Sequence, residues 1–148
     1  MNWLSLLAFV SGAAIAVQMA LNAKLGTLLG SPILASICAF TAAACFSTFA
    51  LLITLREGPS LDQIKAVPFH LWYIGGLLSA LAIASFYFLI PKMGLGAMVS
   101  FALSGQLVAA VVCGHFGWAD VPSNPINLQR IGGLICLIAG LMLIHYER

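Results

Sequence analysis

Residues 95–117, LGAMVSFALSGQLVAAVVCGHFG, form an apolar stretch that contains no Asp, Glu, Lys or Arg. A helix needs about 20 predominantly apolar residues to cross the hydrocarbon core of a bilayer. This stretch is long enough to do so, and it predicts a membrane-spanning helix.

The rest of the chain has the same character. It has 148 residues, of which 62% are hydrophobic and 7% charged, whereas about a quarter of the residues of soluble domains are charged. Apolar runs separated by charges and turn residues predict five spans, and we expect an all-α, multi-pass integral membrane protein with a single domain over residues 1–148. The predicted spans are residues 3–22, 32–55, 68–90, 95–117 and 128–146.

Turn residues mark the ends of these spans. Ser31 and Pro32 are typical of an N-cap followed by proline at the first helical position. Pro68 is expected to open the third span and Pro91 to close it. The longest connection, REGPSLDQIKAV (residues 56–67), is predicted to be a short polar loop, so no extramembrane domain is expected.

Charge and cysteine patterns exclude several function classes. The net charge is +2 and no basic tract for nucleic acid is present. No span contains a His/Asp/Glu cluster or a nucleophile–base pair, so we expect neither an enzyme nor a metal or cofactor site. The cysteines all lie in apolar runs without a C-x-x-C motif and are expected to be buried small hydrophobic side chains: Cys38, Cys45, Cys113 and Cys136.

The positive charges are balanced across the membrane. With five spans, one side receives Arg56, Lys65 and Arg130, and the other receives Lys24, Lys92 and Arg148. An excess of Lys and Arg on the cytoplasmic side normally sets orientation, and here neither side has an excess. We therefore expect insertion in both orientations and an antiparallel homodimer, a ten-helix bundle with the inverted-repeat plan of many transporters.

The first span carries a polar face. Ser11, Ala14, Gln18 and Asn22 recur at spacings of three and four residues and lie on one side of a helix. An amide in hydrocarbon without a partner costs several kcal/mol, so this face must contact protein or water. Interhelical hydrogen bonding and a substrate path are both consistent with the pattern.

The fourth and fifth spans carry small residues at four-residue spacing. Such ridges are typical of close helix packing, and they comprise Gly96, Ser100 and Ser104 in the fourth span and Gly132, Cys136 and Gly140 in the fifth. Gln106 is the strongly polar group in the middle of the fourth span.

Six polar residues are candidates for a substrate path, and they suit a neutral or mildly charged organic solute held by hydrogen bonds. Phe9 and Tyr87 offer aromatic surface for stacking. His115, near the end of the fourth span, is the histidine most suited to a pH-sensitive role. The six candidates are Ser11, Gln18, Asn22, Ser104, Gln106 and His115.

Three motifs together resemble a known transporter branch. QMALNAKLG at the end of the first span, GSP before the second, and GQLVAAVVCGHFGW at the end of the fourth are similar to the short, five-helix YdcZ-type branch of the drug/metabolite transporter (DMT) superfamily. The resemblance covers the whole chain and implies a bacterial inner-membrane exporter that forms dual-topology antiparallel dimers. It carries over to Gln18, Asn22, Gly26, Gly105, Gln106, His115 and Gly117.

One position departs from the family pattern. The branch often has an acidic residue immediately before the histidine, where this chain has Gly114.

The leading hypothesis is an alternating-access transporter of a small organic solute. The alternatives are a dual-topology ion channel, which would pass ions much faster, and a non-transporting membrane subunit or scaffold, which alone would move nothing across liposomes.

Overall fold

The computed structural model describes residues 2–54, 58–118, 123 and 125–145, with side chains described to residue 143. The predicted ends of the second and fifth spans, at residues 55 and 146, lie outside these residues. So do Arg56 and Arg148 of the charge comparison.

The described secondary structure is helical. The α-helices are α1 (Trp3–Leu28), α2 (Pro32–Thr54), α3 (Leu61–Ala66), α4 (Ile74–Met93), α5 (Leu95–Phe116) and α6 (Leu128–His145), and a 3₁₀ helix covers Phe69–Trp72. The prediction of an all-α protein is confirmed.

Four segments are long and apolar enough to span a membrane: Trp3–Leu28, Pro32–Thr54, Phe69–Met93 and Leu95–Phe116. Helix α6 is also apolar but has only 18 residues, which corresponds to about 27 Å at 1.5 Å per residue. A typical hydrocarbon core is about 30 Å thick. Four of the five predicted spans are therefore found as segments of spanning length, and the fifth, whose predicted end at residue 146 lies outside the described residues, stays a prediction.

The connection between α1 and α2 has the structure that its residues predict. Gly30 has a φ of +66°, a left-handed conformation that glycine adopts without steric cost. Helix α2 begins at Pro32, and the Leu34 N–H donates to Ser31 Oγ over 3.3 Å. The predicted N-cap at Ser31 is confirmed.

Two boundaries differ from the sequence prediction. Helix α1 continues past residue 22 to Leu28, because Lys24 and Thr27 do not interrupt it: the Thr27 hydroxyl donates to the Lys24 carbonyl over 2.7 Å. Pro91 does not close the third span, since α4 includes it and ends at Met93. Proline removes one i→i−4 hydrogen bond and its ring crowds the carbonyl four residues earlier, but α4 continues for two residues beyond Pro91. Gly94, with a φ of +85°, follows the helix.

The polar connection before the third span contains a helix that the sequence prediction missed. In α3, Ser60 Oγ accepts from the Gln63 N–H over 3.3 Å, and Gln63 Oε1 accepts from the Ser60 N–H over 2.8 Å. This reciprocal capping box is recognisable as S-x-x-Q. The third predicted span also begins with the 3₁₀ helix rather than a continuous α-helix.

The chain forms two compact units, Met1–Lys92 and Met93–Arg148. In the first unit the buried side chains lie in the last half of α1, the first turns of α2 and the last turns of α4. These are Met19, Ala23, Ala35, Ser36 and Tyr87, with Gly26 beside them. In the second unit Ala97 and Met98 are buried. The first unit is thus packed at one end, whereas residues 3–15 of α1 are exposed.

The expectation of buried cysteines is wrong for most of them. Cys38, Cys45 and Cys136 are exposed on the single chain, Cys113 is half-buried, and all four are free thiols. A membrane helix can place an apolar side chain against lipid, so an apolar environment does not require burial in protein.

Gly26 permits the close contact between α1 and α2. A Cβ atom at Gly26 would lie 3.4 Å from Ala35 Cβ and 3.4 Å from Pro32 Cα, and Ala35 is fully buried. The helices pack tightly here because neither Gly26 nor Ala35 has a larger side chain.

Gly26→Leu should force α1 and α2 apart and lower the free energy of unfolding by about 1–3 kcal/mol, as is typical of overpacking. Unfolding of the purified protein in mild detergent, followed by circular dichroism, would measure the change. Gly12→Leu is the matched control on the same helix, since no atom lies within 4 Å of a Cβ there. Equal stability of the two variants would contradict the predicted role of Gly26.

The small-residue ridges of α5 and α6 have no close neighbours at their glycines among the described residues. A Cβ on Gly96, Gly132 or Gly140 would meet nothing within 4 Å. Cys136 is exposed and Ser100 half-buried. Their role in helix packing stays a prediction.

Candidate functional site

The polar face of α1 meets one aromatic side chain of α4. Gln18 Nε2 donates to Tyr87 Oη over 3.1 Å, and Asn22 Nδ2 donates to the same oxygen over 3.0 Å. Tyr87 is only 1% exposed. Gln18 and Asn22 are one helical turn apart, so both amides reach the same hydroxyl. We call these three residues the amide–tyrosine cluster.

The cluster forms where the first unit is most tightly packed. Met19, Ala23 and Gly26 are buried along α1 at spacings of four and three residues, and Gln18 and Asn22 each immediately precede one of these buried positions. The contact of Gly26 with Ala35 fixes α2 at the same end of the unit. The packing of small residues therefore positions the two amides.

The cluster leaves hydrogen-bonding capacity unused. Each amide has two N–H donors and a carbonyl oxygen, and the hydrogen bonds to Tyr87 use one donor from each. Within the part of the chain that the structure describes, neither amide oxygen accepts a hydrogen bond. Gln18 is exposed and Asn22 half-buried. One side of the cluster therefore joins two helices, and the other can bind polar groups from outside the unit.

Tyr87 has a different role from the one expected. Its ring is buried, so the prediction that it offers a stacking surface is wrong. Its hydroxyl instead accepts two hydrogen bonds, which leaves its own hydrogen to donate. Phe9 is 72% exposed on α1, so its ring can be reached from outside the chain.

The other residues predicted to line a substrate path are not part of the amide–tyrosine cluster. Ser11 is exposed on α1. In the second unit, the Ser104 hydroxyl donates to the Ser100 carbonyl over 3.0 Å, within its own helix. Gln106 is exposed on α5, and its amide makes no hydrogen bond to the described residues.

His115 joins the end of α5 to the segment before α6. Its Nδ1 accepts from the Ile126 N–H over 3.2 Å, and its ring meets Phe116 edge-on with centroids 4.9 Å apart. An accepting Nδ1 places the proton of the neutral ring on Nε2. This hydrogen bond ties the last turn of α5 to the residues just before α6.

The described residues contain no group of three or more His, Cys, Asp or Glu that could hold a metal ion. Asp62, on α3, is the acidic residue among them. In the described segments of spanning length the polar side chains are amides and hydroxyls together with Lys24, His70, Lys92 and His115.

Comparison with known proteins gives the family. The sequence model of a family described as "Putative inner membrane exporter, YdcZ" matches residues 3–143. No curated protein and no solved structure matches the chain. The family match covers nearly all of the sequence, and its description is that of a transporter rather than an enzyme. With several apolar helices of spanning length, the chain is a multi-pass membrane protein, and it belongs to the YdcZ family of the DMT superfamily.

Proposed function

We propose that the chain exports a small organic solute across a bacterial inner membrane by alternating access, with the amide–tyrosine cluster as part of the solute path. The observation that carries this proposal is the pair of amides held at Tyr87, whose oxygens accept no hydrogen bond from the described residues. An unpaired amide facing hydrocarbon costs several kcal/mol. Water, solute or a second chain must therefore satisfy these oxygens.

The working unit in this proposal is an antiparallel homodimer of five-span chains. Each chain alone leaves Gln18 and Gln106 exposed, which is unfavourable on helices surrounded by lipid. The first unit is also packed at only one end. A second, inverted copy would cover polar faces of this kind, and the equal distribution of positive charges supports insertion in both orientations.

The polar groups suit an uncharged or mildly charged solute. The acidic residues of the chain are Glu57, Asp62, Asp120 and Glu147, and all lie outside the predicted spans. Coupling through a carboxylate inside the membrane therefore has no candidate residue in this chain. Amides, which both donate and accept, recognise a solute by hydrogen bonds without requiring a charge.

The test begins with a panel of metabolites, dyes and organic cations added to the purified protein. A solute that binds the folded state raises its unfolding temperature, and uptake into liposomes then tests transport of each such solute. Gln18→Ala and Gln106→Ala should each weaken binding of a hit by about 1–2 kcal/mol, the range for a lost hydrogen bond.

Gln63→Ala is the control, since it removes an amide in the connection before the third span. Stability must be measured beside affinity, because Gln18 also holds Tyr87. A loss of stability with unchanged affinity would assign the amides a purely structural role and contradict the proposed path.

A further inference from the structure

Two adjoining grooves open on the first unit where α1 and α4 end and α2 begins. One has a volume of about 370 Å³, and its walls include Thr27, Gly30 and Lys92. The other, of about 460 Å³, is lined by apolar residues of α2 and α4 that include Ile33, Ala84 and Leu89, with Ser85. Pro32 and Phe88 line both grooves, so the two adjoin. Both have mostly apolar walls, and Lys92 lines only the first.

Lys92 gives one end of this surface a positive charge. Its Nζ lies 3.8 Å from the centroid of the Phe88 ring, a cation–π contact that holds the ammonium group at the wall shared by both grooves. The ammonium has three N–H donors, and Lys92 makes no ion pair with the described residues. It is therefore able to bind an anion.

The position of Lys92 at the end of a membrane-spanning segment points to a lipid. Lys92 lies in the last turn of α4, and Lys24 lies near the end of α1 at the same end of the unit. Lysines at span ends place their ammonium groups at the headgroup level. From there the second groove runs along α4 toward the hydrocarbon, since Ala84 and Ser85 lie about two turns before Lys92, and the start of α2 at Pro32 and Ile33 forms its other wall.

We propose that these grooves bind one anionic phospholipid, with its phosphate at Lys92 and an acyl chain between α2 and α4. The positive charge of Lys92 beside mostly apolar walls supports this occupant. Basic pockets between membrane helices are a recognised mode of headgroup binding, and the volumes lie in the range of ligand sites. The proposal does not depend on the transport proposal, because it requires no solute and no movement of the chain.

The test is native mass spectrometry of the purified full-length protein with added palmitoyl-oleoyl phosphatidylglycerol or the corresponding phosphatidylethanolamine. The protein should retain the anionic lipid preferentially. Lys92→Gln should reduce its retention about fivefold, the effect of one lysine near the headgroups, and Lys92→Arg should preserve it. Ser85 is exposed, so Ser85→Phe can fill the apolar groove without disturbing the core and should lower retention as well.

Lys65→Gln is the charge-matched control, because Lys65 lies on α3 and lines neither groove. Equal retention of the two lipids would overturn the proposal, as would an equal loss in Lys65→Gln and Lys92→Gln. Displacement of the lipid by soluble glycerol phosphate at the same concentration would show that the acyl groove contributes nothing, and this too would overturn it.

Discussion

Tyr87→Ala is expected to lower the free energy of unfolding by about 3–5 kcal/mol, the range for deleting a buried aromatic side chain. Tyr87 is 1% exposed and is the largest buried side chain of the first unit. Its removal would leave a cavity and would also leave Gln18 and Asn22 without their shared acceptor. Denaturant unfolding in mild detergent, followed by circular dichroism, would measure the loss.

Tyr87→Phe separates the ring from the hydroxyl. The variant keeps the packing but leaves two amide donors unpaired, and it should cost about 1–2 kcal/mol. Tyr73→Ala and Tyr73→Phe are the matched controls, since Tyr73 is 50% exposed and its ring contacts Phe69. The proposed importance of the cluster would be contradicted if the Tyr87 variants were as stable as the Tyr73 variants.

The two Tyr87 variants also help to interpret the cluster. If Tyr87→Phe loses stability in the predicted range and solute binding falls with it, the hydroxyl positions the amides for the solute. If stability falls but binding by a solute from the panel is unchanged, the hydrogen bonds serve only to join α1 and α4. The sequence left both interpretations open, and the structure explains why: each amide uses one N–H to join the helices, while its oxygen accepts no hydrogen bond from the described residues.

Local signals made much of the fold predictable from sequence. Helices of spanning length follow from uninterrupted apolar sequence, and the start of α2 follows from Ser31 and Pro32. Helix α3 was missed because its six residues bury nothing. Its capping box, Ser60 with Gln63, was the available signal.

The contacts between helices were much less predictable. The i, i+4 spacing of Gln18 and Asn22 placed them on one face, but their partner lies 69 and 65 residues away in sequence. In a soluble protein an apolar stripe indicates which side of a helix is buried. A membrane helix is apolar all round because lipid is as apolar as the protein core. Neither the burial of Tyr87 nor the exposure of Cys38 therefore had a signal in the pattern of hydrophobicity.

The second large expected effect concerns the orientation of the chain in the membrane. Gly58→Lys with Ala66→Lys should shift the chain from a mixture of two orientations to one. The two lysines join Lys65 in the connection between the second and third spans, and an excess of positive charge is retained in the cytoplasm. Both positions are exposed and a Cβ at Gly58 meets no atom within 4 Å. The substitutions also leave the Ser60–Gln63 capping box intact.

Carboxy-terminal reporters that are active on only one side of the membrane would measure the populations. With five spans, the double-lysine chain should place its carboxyl terminus in the periplasm, whereas the wild type should give signal on both sides. Gly58→Gln with Ala66→Gln controls for side-chain size. Leu28→Lys with Leu29→Lys adds the same charge to the opposite side at exposed positions and should give the reverse orientation.

The two fixed-orientation variants also test the antiparallel dimer directly. If transport requires both orientations, each variant alone should be inactive, because its copies can pair only in parallel. Co-expression of the two variants should then restore activity, since it supplies one chain of each orientation. A wild-type chain found in a single orientation would remove the basis for the antiparallel dimer. Activity of either variant expressed alone would show that the exposed amides Gln18 and Gln106 are satisfied without an inverted partner.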